Sequence, residues 1–221
     1  MKRIILVVSV LLITLTMAAC GGDSREKLYV LNWGEYIDPD LVAAFEDEFD
    51  VNVVYQEVGS NEEMENKITT QAAPYDIVIP SDYMVDKLRQ QNMLQVIDYT
   101  KLTALDEVSI KDEVLALYQG KGYEDYLVPY FWGTFGIMYN LEAVNAEDLD
   151  GTWDVLFDPE TPYNLGMYDS SRDSVGAALL ALGYDVNSDV ETELNEAEQL
   201  LIDGDYYIFG EDNLKGLVID G

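Results

Sequence analysis

The sequence predicts an α/β fold of two lobes, the first built on a largely parallel open sheet with helices on both faces and the second incomplete. Three observations lead there. Segments with strand character alternate with helical ones from residue 27 to about residue 90. An apolar stretch over 126–140 (YLVPYFWGTFGIMYN), punctuated by Pro129, Gly133 and Gly136, suits an extended crossover into a second lobe. Strand and helix signals then resume, but stop at residue 221 without a tail or a closing polar run.

Residues 27–32 (KLYVLN) alternate and are rich in strand formers, and Trp33, Gly34, Glu35 and Tyr36 break that pattern into a loop. Asp38 is an N-cap followed by Pro39 at the first helical position, with Leu41, Ala44, Phe45 and Phe49 on one face. Residues 52–58 (NVVYQEV) return to a strand, and Ser60 with Glu63 forms a capping box that opens a helix through about Thr70. A buried strand is expected over 76–80 (DIVIP), followed by Ser81, Asp82 and Tyr83 and a helix carrying Met84, Val85 and Leu88 on its apolar face. This order implies that ligands bind beyond the carboxyl ends of the strands, where the loops 33–36 and 81–83 meet.

The first lobe is placed at 27–133 and the second at 134–221, with the boundary near Thr134. In the second lobe a strand is expected over 163–168 and a helix over 175–182 stopped by Gly183. A second helix over 190–202, capped by Asp189, would bury Leu194, Ala197 and Leu201. Residues 217–220 resemble the start of a further strand. The chain is therefore expected to be a truncated form of a longer one.

The N-terminus reads as a targeting segment. Lys2 and Arg3 precede an apolar stretch over 4–17 that is too short to span a bilayer comfortably. It closes on Met17, Ala18, Ala19 and Cys20, a pattern that resembles a bacterial lipobox apart from Met17 in place of the usual leucine. Residues 1–19 are thus expected to be a lipoprotein signal peptide and 20–26 a tether lipidated at Cys20. Cys20 is the only cysteine, so an intramolecular disulfide and a multi-cysteine metal site are excluded.

Composition narrows the function. Against 43 Asp and Glu stand 12 Lys and Arg, a formal net charge of −31, which loss of Lys2 and Arg3 makes more negative still. Such a surface repels nucleic acid and anionic headgroups and concentrates small cations near a cleft, although most of these acids suit a solvated surface. Histidine is absent, which removes Ser-His-Asp and Cys-His machinery and the commonest transition-metal ligand. No metal, cofactor or enzymatic activity is implied.

Trp33, Tyr36, Tyr83 and Trp132 offer ring faces, and Glu35 and Asp173 offer carboxylates. Together they suit an organic cation, because ammonium groups are held on ring faces and donate charge-assisted hydrogen bonds to carboxylates. Each has a plainer alternative: Trp33 as lobe packing, Glu35 as a loop acid, Ser81 and Asp82 as helix caps, Tyr83 as packing under Met84, and Asp173 as a capping box with Ser170.

Four collinear segments carry a more specific signal: 28–36 (LYVLNWGEY), 60–64 (SNEEM), 75–83 (YDIVIPSDY) and 128–133 (VPYFWG), with weaker continuation through 168–173 (YDSSRD) and 181–184 (ALGY). In these the chain resembles the spermidine/putrescine-binding proteins of bacterial polyamine importers. The resemblance implies a periplasmic-binding-protein fold of type II, two α/β lobes closing by a hinge on a polyamine delivered to an ABC permease. It implies that Trp33, Glu35, Tyr36, Ser81 and Tyr83 line the channel and that Asp173 supplies an acid from the second lobe. The family's earlier acid aligns with Ser170 here, with Asp169 one position away as its substitute, which leaves spermidine versus putrescine preference open. The family also draws aromatics and a carboxylate from beyond residue 221, so weak or absent binding by this chain alone is expected. A monomer held to the membrane through Cys20, on the extracytoplasmic side, completes the expectation.

Two other function classes compete. A carboxylate-pair glycosidase would need Glu35 and an acid such as Asp173 about 5–9.5 Å apart, one with a raised pKa. A surface adhesin would need only the anchor and the charge and no small-molecule pocket. Within transport, an iron complex, thiamine or a sugar is an alternative solute.

Overall fold

The structure is a computed structural model that describes residues 24–106 and 110–221. The expected signal peptide and Cys20 lie outside the described residues. The first sheet contains β1 (Glu26–Trp33), β2 (Val51–Val58) and β3 (Ile77–Val78) in the order β2-β1-β3, all parallel. β1 and β2 pair in full register from Glu26 opposite Val51 to Trp33 opposite Val58. β3 is shorter than the sequence suggests, yet Asp76 N–H donates to the Tyr29 carbonyl at 2.9 Å and Ile79 N–H to that of Leu31 at 3.0 Å, so the pairing extends over 76–79.

Helix α1 (Pro39–Phe49) carries the chain from β1 outward to β2, and α2 (Asn61–Thr69) returns it across β1 to β3. Right-handed crossovers in opposite directions put these two helices on opposite faces of the sheet. Asp38 caps α1 by accepting from Asp40 N–H at 2.9 Å. Ser60 accepts from Glu63 N–H at 3.2 Å, while the Glu63 carboxylate accepts from Gly59 N–H at 3.2 Å, one residue earlier than in a regular capping box. Leu31, Val58 and Met64 form the core on the α2 side, with Trp33, Ile68, Tyr75 and Val78 packed around them. The apolar stripe of α1 is not buried: Leu41, Phe45 and Phe49 are exposed, the two phenylalanine rings 4.6 Å apart. Helix α3 (Asp82–Gln90) buries Met84, Val85 and Leu88 as its spacing requires.

After α4 (Asp112–Tyr118) the stretch 127–140 forms no helix or strand, as its proline and glycines suggest. The second sheet pairs β4 (Leu165–Tyr168) with β5 (Tyr206–Gly210), again in parallel, through α5 (Ser171–Ala181) and α6 (Glu191–Asp203). Ala178, Leu179 and Ala197 are buried where α5 meets α6. Gly183 adopts φ 79°, and its N–H reaches the Leu180 carbonyl at 3.1 Å, ending α5 as expected.

The reading of this lobe needs correction at several points, among them Leu194 of α6, which is exposed rather than buried. Helix α5 starts at Ser171 rather than residue 175. The cap of α6 is not Asp189: Val190 holds that position without a side-chain cap, and Ser188 stitches the entry by donating to Glu193 and accepting from Val190 N–H at 3.2 Å. Strand β5 was not foreseen. Residues 217–220 are not a strand but the end of α7 (Asn213–Asp220). The helix is fixed by turns from Leu214 N–H to Glu211 O and from Lys215 N–H to Asp212 O, and Leu214 lies against Gly166 and Gly210. Asn140 donates to the Val218 carbonyl at 2.9 Å, satisfying one of the carbonyls a helix end leaves open.

Candidate functional site

The carboxyl ends of both sheets face one cleft. On the first lobe, Trp33 closes β1, partly buried against the core, and its indole N–H donates to the Ile79 carbonyl at 2.7 Å. The packing expected as the plainer alternative for this residue is therefore present. Its ring lies 6.2 Å from that of Tyr36, which meets Phe131 edge-on at 5.3 Å. The Tyr130 hydroxyl donates to the Tyr36 carbonyl at 2.5 Å. Phe131, not Trp132, thus continues the aromatic wall, and Trp132 stands 64% exposed. Glu35 occupies a left-handed turn at φ 59°, a conformation with a strain cost for a residue other than glycine.

Ser81 occupies the N-cap position of α3, but its hydroxyl makes no cap bond. It accepts from the Asn61 side chain at 3.0 Å, and Ser81 N–H donates back to Asn61 at 3.0 Å. Asn61, almost fully buried, ties the loop after β3 to the start of α2. Tyr83 follows. Its hydroxyl is buried with no hydrogen-bond partner among the described residues, since the Asn61 amide approaches without the geometry of a bond. Burial first, then Glu62, push this phenol up to about 12; Asp173 adds to the shift, while Asn61 and Arg172 oppose it.

The second lobe brings acids. Asp169 N–H donates to the Gly210 carbonyl at 2.8 Å, extending the β4–β5 pairing to the cleft. Asp173 lies in the first turn of α5, where Ser170 makes no side-chain cap, so the capping box considered for this pair is not formed. Tyr168 is raised by burial first and then by Asp173, Asp212, Glu211 and Tyr36, which places both lobes' residues around one phenol. Burial, then Asp169, Glu63 and Asp212, push the Glu211 carboxyl above its ordinary value. Sequence reasoning missed Tyr168, Glu211 and Asp212. For the two acids the signal was a β-rich run, 206–210 (YYIFG), directly before them, the same strand-end position that singles out Trp33 and Glu35 as candidates.

The lobes touch. Ser171 donates to Glu62 at 2.8 Å, and the Arg172 guanidinium stands 5.0 Å from the centre of the Tyr83 ring. Asp212 approaches so near Gly34 that a Cβ there would lie 2.8 Å from its Oδ2, and the Glu211 carboxylate fills the space a Cβ on Gly59 would take. A Cβ at either glycine would make these carboxylates, both at the ends of flexible side chains, swing aside. Two open cavities of about 430 and 290 Å³ lie elsewhere, lined by residues such as Tyr139 and Trp153 or Tyr118 and Pro129. The second of them also holds two rings and two acids, Tyr99 and Tyr118 with Glu124 and Asp125, but all from one stretch of the chain. Among the described residues no cluster suited to a metal ion is present.

The model of one family, bacterial extracellular solute-binding protein, matches residues 40–207, from the first turn of α1 to the start of β5. The chain belongs to the bacterial extracellular solute-binding proteins. This solute-binding protein is 34% identical over 194 residues to the spermidine/putrescine-binding periplasmic protein of Escherichia coli, covering 86% of the chain and 55% of that relative. It also superposes on the TpPotD lipoprotein of Treponema pallidum with a TM-score of 0.73 at 34% identity, covering 86% of this chain and 59% of that one. For the spermidine/putrescine ABC transporter substrate-binding protein PotD of Streptococcus pneumoniae the TM-score is 0.63, again at 34% identity, over 87% and 59% of the two chains. The α/β periplasmic-binding-protein fold is shared. The solute-binding protein spans about half the length of the curated relatives it matches.

Proposed function

We propose that the protein captures a polyamine, spermidine or putrescine, outside the cytoplasm for an ABC importer. The observation that carries this reading is the convergence of Glu35 and Glu62 from one lobe with Asp169, Asp173, Glu211 and Asp212 from the other around Trp33, Tyr36, Tyr83 and Tyr168. Acids at both walls neutralise the ends of a di- or triamine, and ring faces hold the methylenes and ammonium groups between them. The Tyr83 hydroxyl, buried and without a hydrogen-bond partner among the described residues, becomes an acceptor for one such ammonium once the lobes part around it. In this reading Trp33, Glu35, Tyr36, Ser81, Tyr83, Asp169 and Asp173 line the channel, joined by Tyr168, Glu211 and Asp212. The names of the relatives, polyamine-binding in E. coli and S. pneumoniae, point to the same ligand class.

The lobes are assigned to 27–133 and 134–221. The protein works as a monomer, held to the membrane by a lipid on Cys20 after removal of residues 1–19, with the permease as its protein partner. Calorimetric titration of residues 21–221 with spermidine and putrescine tests the function. Weak binding that is lost in Trp33→Ala and Glu35→Ala is expected; binding that both substitutions leave unchanged would place the amine elsewhere, and no heat at all would mean that residues 21–221 do not suffice for binding. Mass spectrometry of the membrane fraction tests the anchor, with a diacylglyceryl adduct on Cys20 as the expected result.

A further inference from the structure

Two groups assigned above to a ligand cation are met by cations of the chain itself. Glu35 lies in the loop after β1, and 180 residues later Lys215 lies in the first turn of α7, yet the Lys215 ammonium stands 3.0 Å from Glu35 Oε2. The same nitrogen stands 3.0 Å from Asp212 Oδ1. Arg172, from α5, covers the ring of Tyr83 in the same way. Both cations come from the second lobe and both partners from the first. Lys215 is the more telling of the two, because an ammonium on a carboxylate beside Trp33 and Tyr36 is what one end of a polyamine would be. The turn that presents Glu35 is itself constrained, with Glu35 in a left-handed conformation and Gly34 admitting Asp212 alongside.

We infer that Lys215 is a tethered competitor for the ammonium subsite on Glu35, a specificity-determining residue that a ligand amine must displace. The inference rests on the reading of the cleft as an amine site. With Lys215 in place one carboxylate is already neutralised, so the cleft has one fewer negative charge to offer and favours the shorter, less charged diamine. The pair is displaceable because it is exposed, with 55% of the lysine side chain and 76% of the glutamate side chain open to water. Exposed ion pairs shift equilibria by about 1.5- to 5-fold, a range that competes with a ligand without shutting it out. Asp212 keeps the ammonium at the cleft when Glu35 releases it.

The test uses the chain with Lys215→Met and Lys215→Arg, titrated with putrescine and spermidine, and lysine ammonium resonances followed by NMR after reductive ¹³C-methylation. Expected are two- to fivefold tighter binding by Lys215→Met with a larger gain for spermidine, parent-like binding by Lys215→Arg, and a Lys215 resonance that moves with Glu35→Gln and with added amine. Equal or weaker binding by Lys215→Met, in a parent that binds, overturns the inference. So does a Lys215 resonance indifferent to Glu35→Gln. If parent and both variants, all folded by circular dichroism, bind neither amine while the resonance still depends on Glu35, the amine reading itself has failed and the competition falls with it.

Discussion

Glu211 shows how single residues in the cleft are tuned. Its carboxyl is pushed above its ordinary value by burial and by the neighbouring acids Asp169, Glu63 and Asp212. The folded chain therefore holds this proton more tightly than the unfolded chain does. Keeping Glu211 ionised costs stability above its folded pKa, and that cost is relieved as pH falls through the window between the ordinary and the raised value. An incoming ammonium offsets the same repulsion and draws the group back to its charged form. Polyamine affinity measured by calorimetry is thus expected to hold near neutrality and to fall as pH drops through this window, earlier than for ordinary carboxylates. Glu211→Gln is expected to bind about tenfold more weakly at neutral pH and to lose that early fall. Glu35 and Tyr83 were legible in the sequence because they follow strands with clear signals. Glu211, Asp212 and Lys215 were not, since the strand before them went unrecognised and the helix that carries Lys215 was taken for a strand at its far end.

Elements were legible wherever local chemistry and tertiary environment agree. Asp38 with Pro39, Ser60 with Glu63, and Gly183 mark helix ends through bonds that close over a few residues, and the structure has those bonds. The Ser60 hydroxyl carries one of them, so Ser60→Ala is expected to lower stability by about 1 kcal/mol in urea unfolding, with the slope unchanged. Misreadings arose where a short apolar run fits both periods. Residues 217–220 (LVID) are β-rich taken alone, but Leu214, Leu217 and Val218 recur at helical spacing once the turn at Glu211 and Asp212 is counted. Asp189 looked like a cap because of its type, whereas Ser188 and Glu193 satisfy that entry from either side of it.

At the scale of the whole molecule the charge of −31 sets two opposing salt responses. Like charges across a surface this acidic repel one another, and screening relieves that repulsion. Raising sodium chloride from about 10 mM to about 500 mM, across which the Debye length shrinks from roughly 30 Å to a few ångströms, is expected to raise Tm by several degrees. The same change is expected to weaken polyamine binding by about tenfold, because the acids of the cleft then attract a cation over a shorter range. Differential scanning calorimetry and titration on one sample check both signs. The parallel strand-helix alternation of the first lobe was legible from periodicity, as was the edge where a ligand would sit, whereas the second sheet was not, because β5 went unread. The approach of one lobe to the other depends on contacts such as Ser171 with Glu62, between residues 109 apart, and no local pattern encodes it.

The seat of Trp33 gives the protein an optical property of its own. Trp132 is largely in water, and Trp153 stacks on Phe135 at 5.1 Å and lines a separate cavity. Trp33 has its N–H fixed to a backbone carbonyl and its ring beside Tyr36. If an amine enters between the lobes as proposed, emission from this indole changes with it, and the molecule carries its own fluorescent gauge without a dye or a label.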